Sequence, residues 1–364
     1  MTRTGKAAVF VAPNKPLEIR DYPLRPAAPG EVLVRIAMAT VCGSDVHSWQ
    51  GRRAAPSPGI LGHEIIGTIE ELGEGVGKDM RGEALGGGQR VTWTIHATCG
   101  QCYYCRDLDM PQKCLKLRKY GHGGCAQDPH FTGGFAEYVY IMPGSGILKL
   151  PDDLGDAEAS PVNCGVATMV SVTERAAIKA GDTVVIQGLG LLGLYAAALA
   201  RSKGAAPIIG LDGVGKRLAL AARFGVDIGI DISGRQPGKL IEMVSRHCRP
   251  DGADAVIEVC GDPAAIPQGL AMLRAGGRYV TAGLVFAGAE ATIDANVIVN
   301  RCLSVAGNQN YHPRHLVQAL DFVHQNRGLF PFADLVDARY PLAEIDRAFR
   351  DTIERRCLRA AIVP

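Results

Sequence analysis

From residue 159 onward, apolar runs alternate with helix-forming stretches. "DTVVIQG" predicts a buried strand, and "LLGLYAAALARSKG" predicts a helix closed by a terminal glycine. "APIIGLD" follows as a strand, "GKRLALAARFG" as a helix ending at Gly225, and "ADAVIEVCG" and "GGRYVTAG" as further strands. Unbroken apolar strands separated by short helices are the pattern of a parallel sheet covered on both faces, so a doubly wound α/β domain is expected over about 159–300. The first 150 residues read differently. Short runs such as "EVLVRIAMAT", "IIGTIEELG" and "RVTWTI" are cut apart by Gly and Pro clusters, which predicts a β-rich region. The last stretch offers a possible strand in "RCLSVAGNQNY", a helix in "LVQALDFVHQN" and a final apolar run. Its local pattern fits either completion of the sheet or a return to the N-terminal region.

A chain of 364 residues is longer than one hydrophobic core usually supports, which agrees with two domains. A hydrophobic fraction of 47% argues against general disorder. The net charge of +2 arises from 39 basic and 37 acidic residues that are well mixed, leaving no field suited to nucleic acid or an anionic membrane. The opening "MTRTGKAAVFVAPNKPLEIRDY" reads as a first strand rather than a signal peptide. The most apolar run, residues 189–200, is shorter than the about 20 residues a membrane helix needs. A soluble, cytoplasmic protein is expected.

"GLGLLG" at 188–193 matches G-x-G-x-x-G, follows a strand directly and opens a helix, as a dinucleotide site requires. Gly188, Leu189, Gly190, Leu191, Leu192 and Gly193 would offer backbone N–H groups and a helix N-terminus to a pyrophosphate. Asp212 ends the next strand, 22 residues beyond Gly190, where a carboxylate accepts from the adenosine ribose and repels a 2′-phosphate. NAD is therefore expected over NADP. Arg217 lies near the same ribose or faces water.

Cys99, Cys102, Cys105 and Cys114 form C-x2-C-x2-C-x8-C, four thiolates from one loop. Such a set completes a tetrahedral zinc shell; its spacing overlaps a bacterial iron–sulfur run, but ferredoxins place the fourth cysteine differently, and the C-x-x-C does not head a helix after a strand in a small sheet domain as a thioredoxin-like dithiol does, so a structural zinc is favoured. A second set is scattered: Cys42 and His47 in "CGSDVH", His63 and Glu64 in "LGHE", and Cys164 in "PVNCG". Two cysteines and one histidine with an open fourth position are a known catalytic-zinc arrangement, while each residue taken alone also suits a buried structural role.

Together, "CGSD" at 42–45, "GHEIIGTIEELGEGV" at 62–76, the four-cysteine loop, "GGFAEY" at 133–138, Cys164 and "GLGLLG" resemble the zinc-dependent medium-chain alcohol dehydrogenases over the whole chain. The resemblance implies a GroES-like catalytic domain from residues 1–158 and 301–364, with an NAD-binding Rossmann domain at 159–300 inserted between them. It implies two zinc ions per chain, one catalytic on Cys42, His63 and Cys164 and one structural on Cys99, Cys102, Cys105 and Cys114. The eight residues before Cys114 are one more than the family commonly has there, which bears on the loop's path. By the same resemblance Glu64 stands beside the metal, Asp45 orients the liganding histidine, and Ser44 adjoins the reacting alcohol. His47 passes the proton to solvent, and Arg359 meets the cofactor pyrophosphate.

The substrate implied is a small alcohol or aldehyde, and a homodimer or homotetramer is the family's habit. Within the family, residues 91–122 look most like a subgroup associated with phosphonate catabolism, with threonine and polyol dehydrogenases as alternatives. Arg52, Arg53, His96, Lys119 and His122 are candidate donors to an anionic substrate, or else solvated charges. Trp93 and Ile95 are candidates for an apolar wall. A catalytically silent zinc- and NAD-binding protein would be favoured by a substituted Cys42, His63, Cys164 or Ser44, and none is substituted. Quinone reductases of the superfamily typically lack these ligands.

Overall fold

The computed structural model describes residues 3–364, which divide into two compact units. Unit 2 comprises Thr168–Tyr311 and Gly328–Pro331. Its six parallel strands lie in the order Ile228–Asp231, Ile208–Asp212, Val184–Gln187, Ala253–Glu258, Leu273–Thr281 and Ser304–Gly307. Numbered along the chain, this is the 3-2-1-4-5-6 order of a dinucleotide-binding Rossmann sheet. Val184–Gln187 and Ile208–Asp212 are buried at every position, because helices cover both faces; hence the unbroken apolar runs. The run predicted to be helical up to Gly225 forms the helix Gly215–Ala221 and a tighter turn over Ala222–Phe224. Gly225 stops it at φ 90°, a left-handed conformation that glycine adopts without strain.

Unit 1 comprises the described residues up to Ala167, with His312–Arg327 and Phe332–Pro364. Its seven-stranded sheet centres on Val32–Thr40, which pairs antiparallel with Glu64–Leu72, Tyr138–Ile141 and Ala360–Val363. The last of these pairings joins the C-terminal strand to the first part of the chain, with Ala361 opposite Thr40. A small two-stranded sheet, His96–Ala97 with Arg118–Lys119, closes the base of the cysteine loop.

The units part at Ala167/Thr168 and Tyr311/His312 rather than at 158 and 301. Residues 159–167 stay with unit 1, where buried Asn163 donates to the carbonyls of His63 and Trp93, both at 3.1 Å. Residues 301–311 stay with unit 2, because Ser304–Gly307 is the sixth strand of the Rossmann sheet. No helix among the described residues is long and apolar enough to cross a membrane.

Candidate metal centres and nucleotide loop

Strand Val32–Thr40 delivers the chain to Cys42, which N-caps the short helix Gly43–Trp49. Asp45, fully buried in the first turn, holds two ligand-bearing segments together: its carboxylate accepts from the Cys42 N–H at 2.9 Å and from the Gly62 N–H at 3.1 Å. The same carboxylate stands 3.3 Å from Nδ1 of His63, which leaves the other ring nitrogen for a metal. Ser44 Oγ lies 3.4 Å from that nitrogen, Nε2. Cys164 arrives on a π-helical turn, Val162–Val166, a geometry often found at functional sites.

One ligand atom each from Cys42, His63, Glu64 and Cys164 falls within 4.8 Å of the others. Glu64 is fully buried, accepts from the Thr40 hydroxyl, and has Arg359 Nε at 3.7 Å. The Arg359 guanidinium also donates to the Val41 carbonyl at 2.7 Å, so it braces Glu64 and the segment between strand Val32–Thr40 and Cys42. Burial, opposed mainly by Arg359, raises Glu64 to about 7. Burial works against a charged His63, but Asp45 and Cys42 outweigh it and lift the ring to about 10. The Cys42 thiolate is favoured by a hydrogen bond from Cys164 and another from His63. These are linked proton positions around one point, and the two sulfurs and one imidazole suit zinc. Half-buried His47 is lowered from its usual value by burial and by Arg52 and Arg53.

The loop cysteines form the second set, with all four sulfurs within 4.8 Å of one another. Cys102–Cys105, Cys102–Cys114 and Cys99–Cys114 are separated by 3.5, 3.9 and 3.5 Å. A tetrahedron with Zn–S bonds of about 2.3 Å has edges of about 3.8 Å, so the spacing fits a zinc ion. Backbone N–H groups of Cys99 and Lys116 donate to Cys114 Sγ, each at 3.3 Å. Backbone N–H groups near Leu115 and Cys105 draw Cys102 down to about 6. Burial and the neighbouring sulfurs of Cys102 and Cys114 push Cys105 up to about 12. A shared divalent cation would resolve that conflict by letting all four ionise.

In unit 2, a Cβ on Gly193 would lie 1.9 Å from the Gly188 carbonyl oxygen, which explains the close helix–strand contact. Gly188 takes φ 98°. Asp212 accepts from the Leu189 N–H and the Val214 N–H, both at 2.8 Å, and has Arg217 Nη1 at 3.6 Å. Helix Leu191–Ser202, N-capped by Gly190, starts at this loop, and Leu191 and Leu192 supply its first turn.

The five basic candidates separate. Arg53, Lys119 and His122 line one cavity of about 610 Å³ within unit 1. Arg52 is exposed and outside that lining, and His96 is fully buried, its ring lowered to about 3 by burial and Lys119. Trp93 and Ile95 are buried in unit 1, Trp93 edge-on to Tyr120 with ring centroids 5.9 Å apart. Thr40 and Asn163 had drawn no functional expectation. Asn163 stands in the quoted "PVNCG", but its contacts with His63 and Trp93 are long-range and carry no local signature.

A Rossmann unit in one chain with a β-rich unit bearing two such ligand sets is the build of a metal-dependent, nucleotide-linked oxidoreductase. Residues 28–152 match the alcohol dehydrogenase GroES-like domain, and residues 192–325 match the zinc-binding dehydrogenase family. The chain is 33% identical over 347 residues to 5-exo-hydroxycamphor dehydrogenase of Pseudomonas putida, covering 94% of each protein. It is 32% identical to sorbitol dehydrogenase of Halalkalibacterium halodurans, covering 92% of each. The crystal structure of an alcohol dehydrogenase from Thermotoga maritima superposes with TM-score 0.94 at 30% identity, covering 100% of both chains. This chain belongs to the zinc-dependent medium-chain alcohol dehydrogenase family and is an oxidoreductase.

Proposed function

We propose that the protein is an NAD-dependent zinc alcohol dehydrogenase interconverting a small alcohol and its aldehyde or ketone, with two zinc ions per chain. The observation that carries this reading is the convergence of Cys42, His63, Glu64 and Cys164 on one point with the Ser44 hydroxyl beside His63. When bound, zinc would supply Lewis acidity toward an alcohol or carbonyl oxygen, and NAD would accept the hydride.

The chain's own groups do the rest. Cys42, His63 and Cys164 would hold the metal, and Asp45 fixes the His63 tautomer. Glu64, clamped between Thr40 and Arg359, is a reserve carboxylate at the ligand set. In this reading the Ser44 hydroxyl, beside His63, takes the alcohol proton and passes it on, and His47, whose ring favours the neutral form, releases it to solvent. Cys99, Cys102, Cys105 and Cys114 would hold the second ion, their four sulfurs filling its shell.

NAD is favoured because the Asp212 carboxylate caps the nucleotide loop; Arg217, paired with it, leaves that charge partly offset. A 2′-phosphate would meet the carboxylate first. The assembly is a homodimer or homotetramer, for which the Rossmann sheet has an unpaired edge at Ser304–Gly307, where Val305 is 45% exposed. For substrates, the relatives' names bring hydroxycamphor and polyols to the panel, and the loop resemblance brings phosphonate-bearing alcohols.

The test is NAD-linked turnover over that panel with protein whose zinc content is about two per chain. Activity is expected with NAD well above NADP, and Asp212→Ala should narrow that preference. Zinc-replete protein that turns over none of the alcohols would remove the dehydrogenase reading.

A further inference from the structure

Arg53, Lys119 and His122 reach one cavity from separate segments: the loop after helix Gly43–Trp49, the short strand Arg118–Lys119, and the turn beyond it. His122 connects the cavity to the Cys42, His63, Glu64 and Cys164 set, none of which lines it. His122 itself lines the cavity, and its ring stacks on that of His63 with centroids 6.1 Å apart and an interplanar angle of 23°.

A volume of about 610 Å³ suits a small ligand, and Phe131, Pro129 and Met142 supply apolar wall. The single carboxylate in the lining, Glu31, is already engaged by Arg25 at 2.7 Å and by the Ala28 N–H at 3.0 Å. Arg118, the other cation of the lining, donates to the Pro143 carbonyl at 2.9 Å. Among the described residues neither Arg53 nor Lys119 forms an ion pair with a carboxylate, although both are half-buried. Burial, Arg53 and Lys113 lower the Lys119 ammonium to about 8. Gathering unpaired cations in a partly desolvated cavity is unfavourable unless an anion joins them.

We infer that this cavity recognises an anionic group on the substrate, so that the alcohol oxidised carries a carboxylate, phosphonate or phosphate held by Arg53 and Lys119. Arg53 offers a planar fork of N–H donors, Lys119 a point charge, and His122 a ring N–H. The inference rests on the dehydrogenase reading and assigns its substrate class. It also sorts the basic residues: Arg52 and His96 lie outside the recognition site.

The experiment uses zinc-replete enzyme with NAD and hydroxyalkyl carboxylates, phosphonates and phosphates, each matched in length to an uncharged alcohol. The unmodified enzyme should favour at least one anionic series in kcat/KM, and the series favoured identifies the group. Lys119→Met and Arg53→Met should each lower the anionic-to-uncharged ratio by about tenfold or more, as loss of a charge-assisted hydrogen bond predicts, and Lys119→Arg should restore much of it. Arg52→Met should leave the ratio unchanged. Should the methionine variants fail to fold, the unmodified enzyme still decides: methylphosphonate should inhibit turnover of an uncharged alcohol more strongly than its neutral dimethyl ester. Uncharged alcohols turned over with no anionic preference, or a ratio that survives both substitutions, would overturn the inference while the dehydrogenase stands. No turnover of any alcohol would overturn both.

Discussion

Cys99, Cys102, Cys105 and Cys114 fall within one loop, whereas Cys42, His63, Glu64 and Cys164 come from three segments spread over more than a hundred residues. The loop set is all sulfur, and its anionic character is supported by backbone N–H groups that no mutation of a side chain removes. The scattered set mixes sulfur, imidazole and carboxylate. Its charges are balanced by buried Asp45 and Arg359, and it adjoins a hydroxyl, a histidine and a cavity. A local, closed shell orders a segment; a mixed shell assembled across the fold leaves a coordination position and titratable neighbours for chemistry. The two are joined, since the strand Arg118–Lys119 closing the cysteine loop also carries Lys119 to the cavity beside His63.

The largest effect should come from removing a ligand of the scattered set. Cys164→Ala is expected to lower kcat/KM by more than the roughly 10–100-fold that loss of an outer partner such as Asp45 costs, and to reduce zinc from about two to about one per chain. The melting temperature should move little, because Asn163 still ties the turn to His63 and Trp93. Full activity with both metals retained would erase the contrast between the sets.

Cys105→Ser should invert that profile. Losing the loop ion removes what orders a segment with exposed Leu108 and Leu115, so a fall in melting temperature on the order of 5–10 °C is expected. Turnover of uncharged alcohols at low temperature should drop only several-fold, and anionic preference should suffer more, because the loop anchors Lys119. Differential scanning calorimetry and paired kinetics check this; an unchanged melting temperature would deny the loop ion a structural role.

The contrast also explains which parts of the chain could be read without coordinates. The Rossmann strands were legible because parallel strands covered on both faces leave unbroken apolar runs, as in Val184–Gln187. The loop cysteines announced themselves because their spacing is local. The final run, by contrast, pairs Ala361 with Thr40, and no pattern within "AAIVP" specifies a partner more than three hundred residues away. The same holds for Thr40 against Glu64, Asn163 against His63, and Arg359 against Glu64, whose meaning lies in tertiary neighbours. The strand in "RCLSVAGNQNY" stays open between two fates for a related reason: "SVAG" is short and weakly apolar, and its pairing beside Leu273–Thr281, not its pattern, makes it the sixth Rossmann strand. Spacing likewise could not sort the basic residues, because Arg52 and Arg53 are neighbours in sequence and only Arg53 lines the cavity.

The smallest expected effect is a pH dependence confined to the scattered set's surroundings. Lys119 is held near 8 by burial, with Arg53 and Lys113 adding like charge and the Cys164 sulfur opposing them. Below about 8 the free enzyme carries the ammonium, and above it the neutral amine, so anionic preference should be full at pH 6.5–7 and fall as pH rises through about 8. The decline should amount to roughly tenfold or less, because the donors of Arg53 remain in the cavity. A hydroxyalkyl sulfonate or carboxylate is the right probe, since neither changes ionisation in this range. Taking its kcat/KM relative to a matched uncharged alcohol cancels the titrations of His47 and of the metal ligands that both substrates share. The bound anion favours the ammonium, so the corresponding fall in kcat should lie at higher pH than the fall in kcat/KM. Lys119→Arg should abolish the decline while keeping the preference. If the ratio stays flat to pH 9.5 in the unmodified enzyme, Lys119 does not meet the substrate's anion, and recognition in the cavity would have to rest on Arg53 alone.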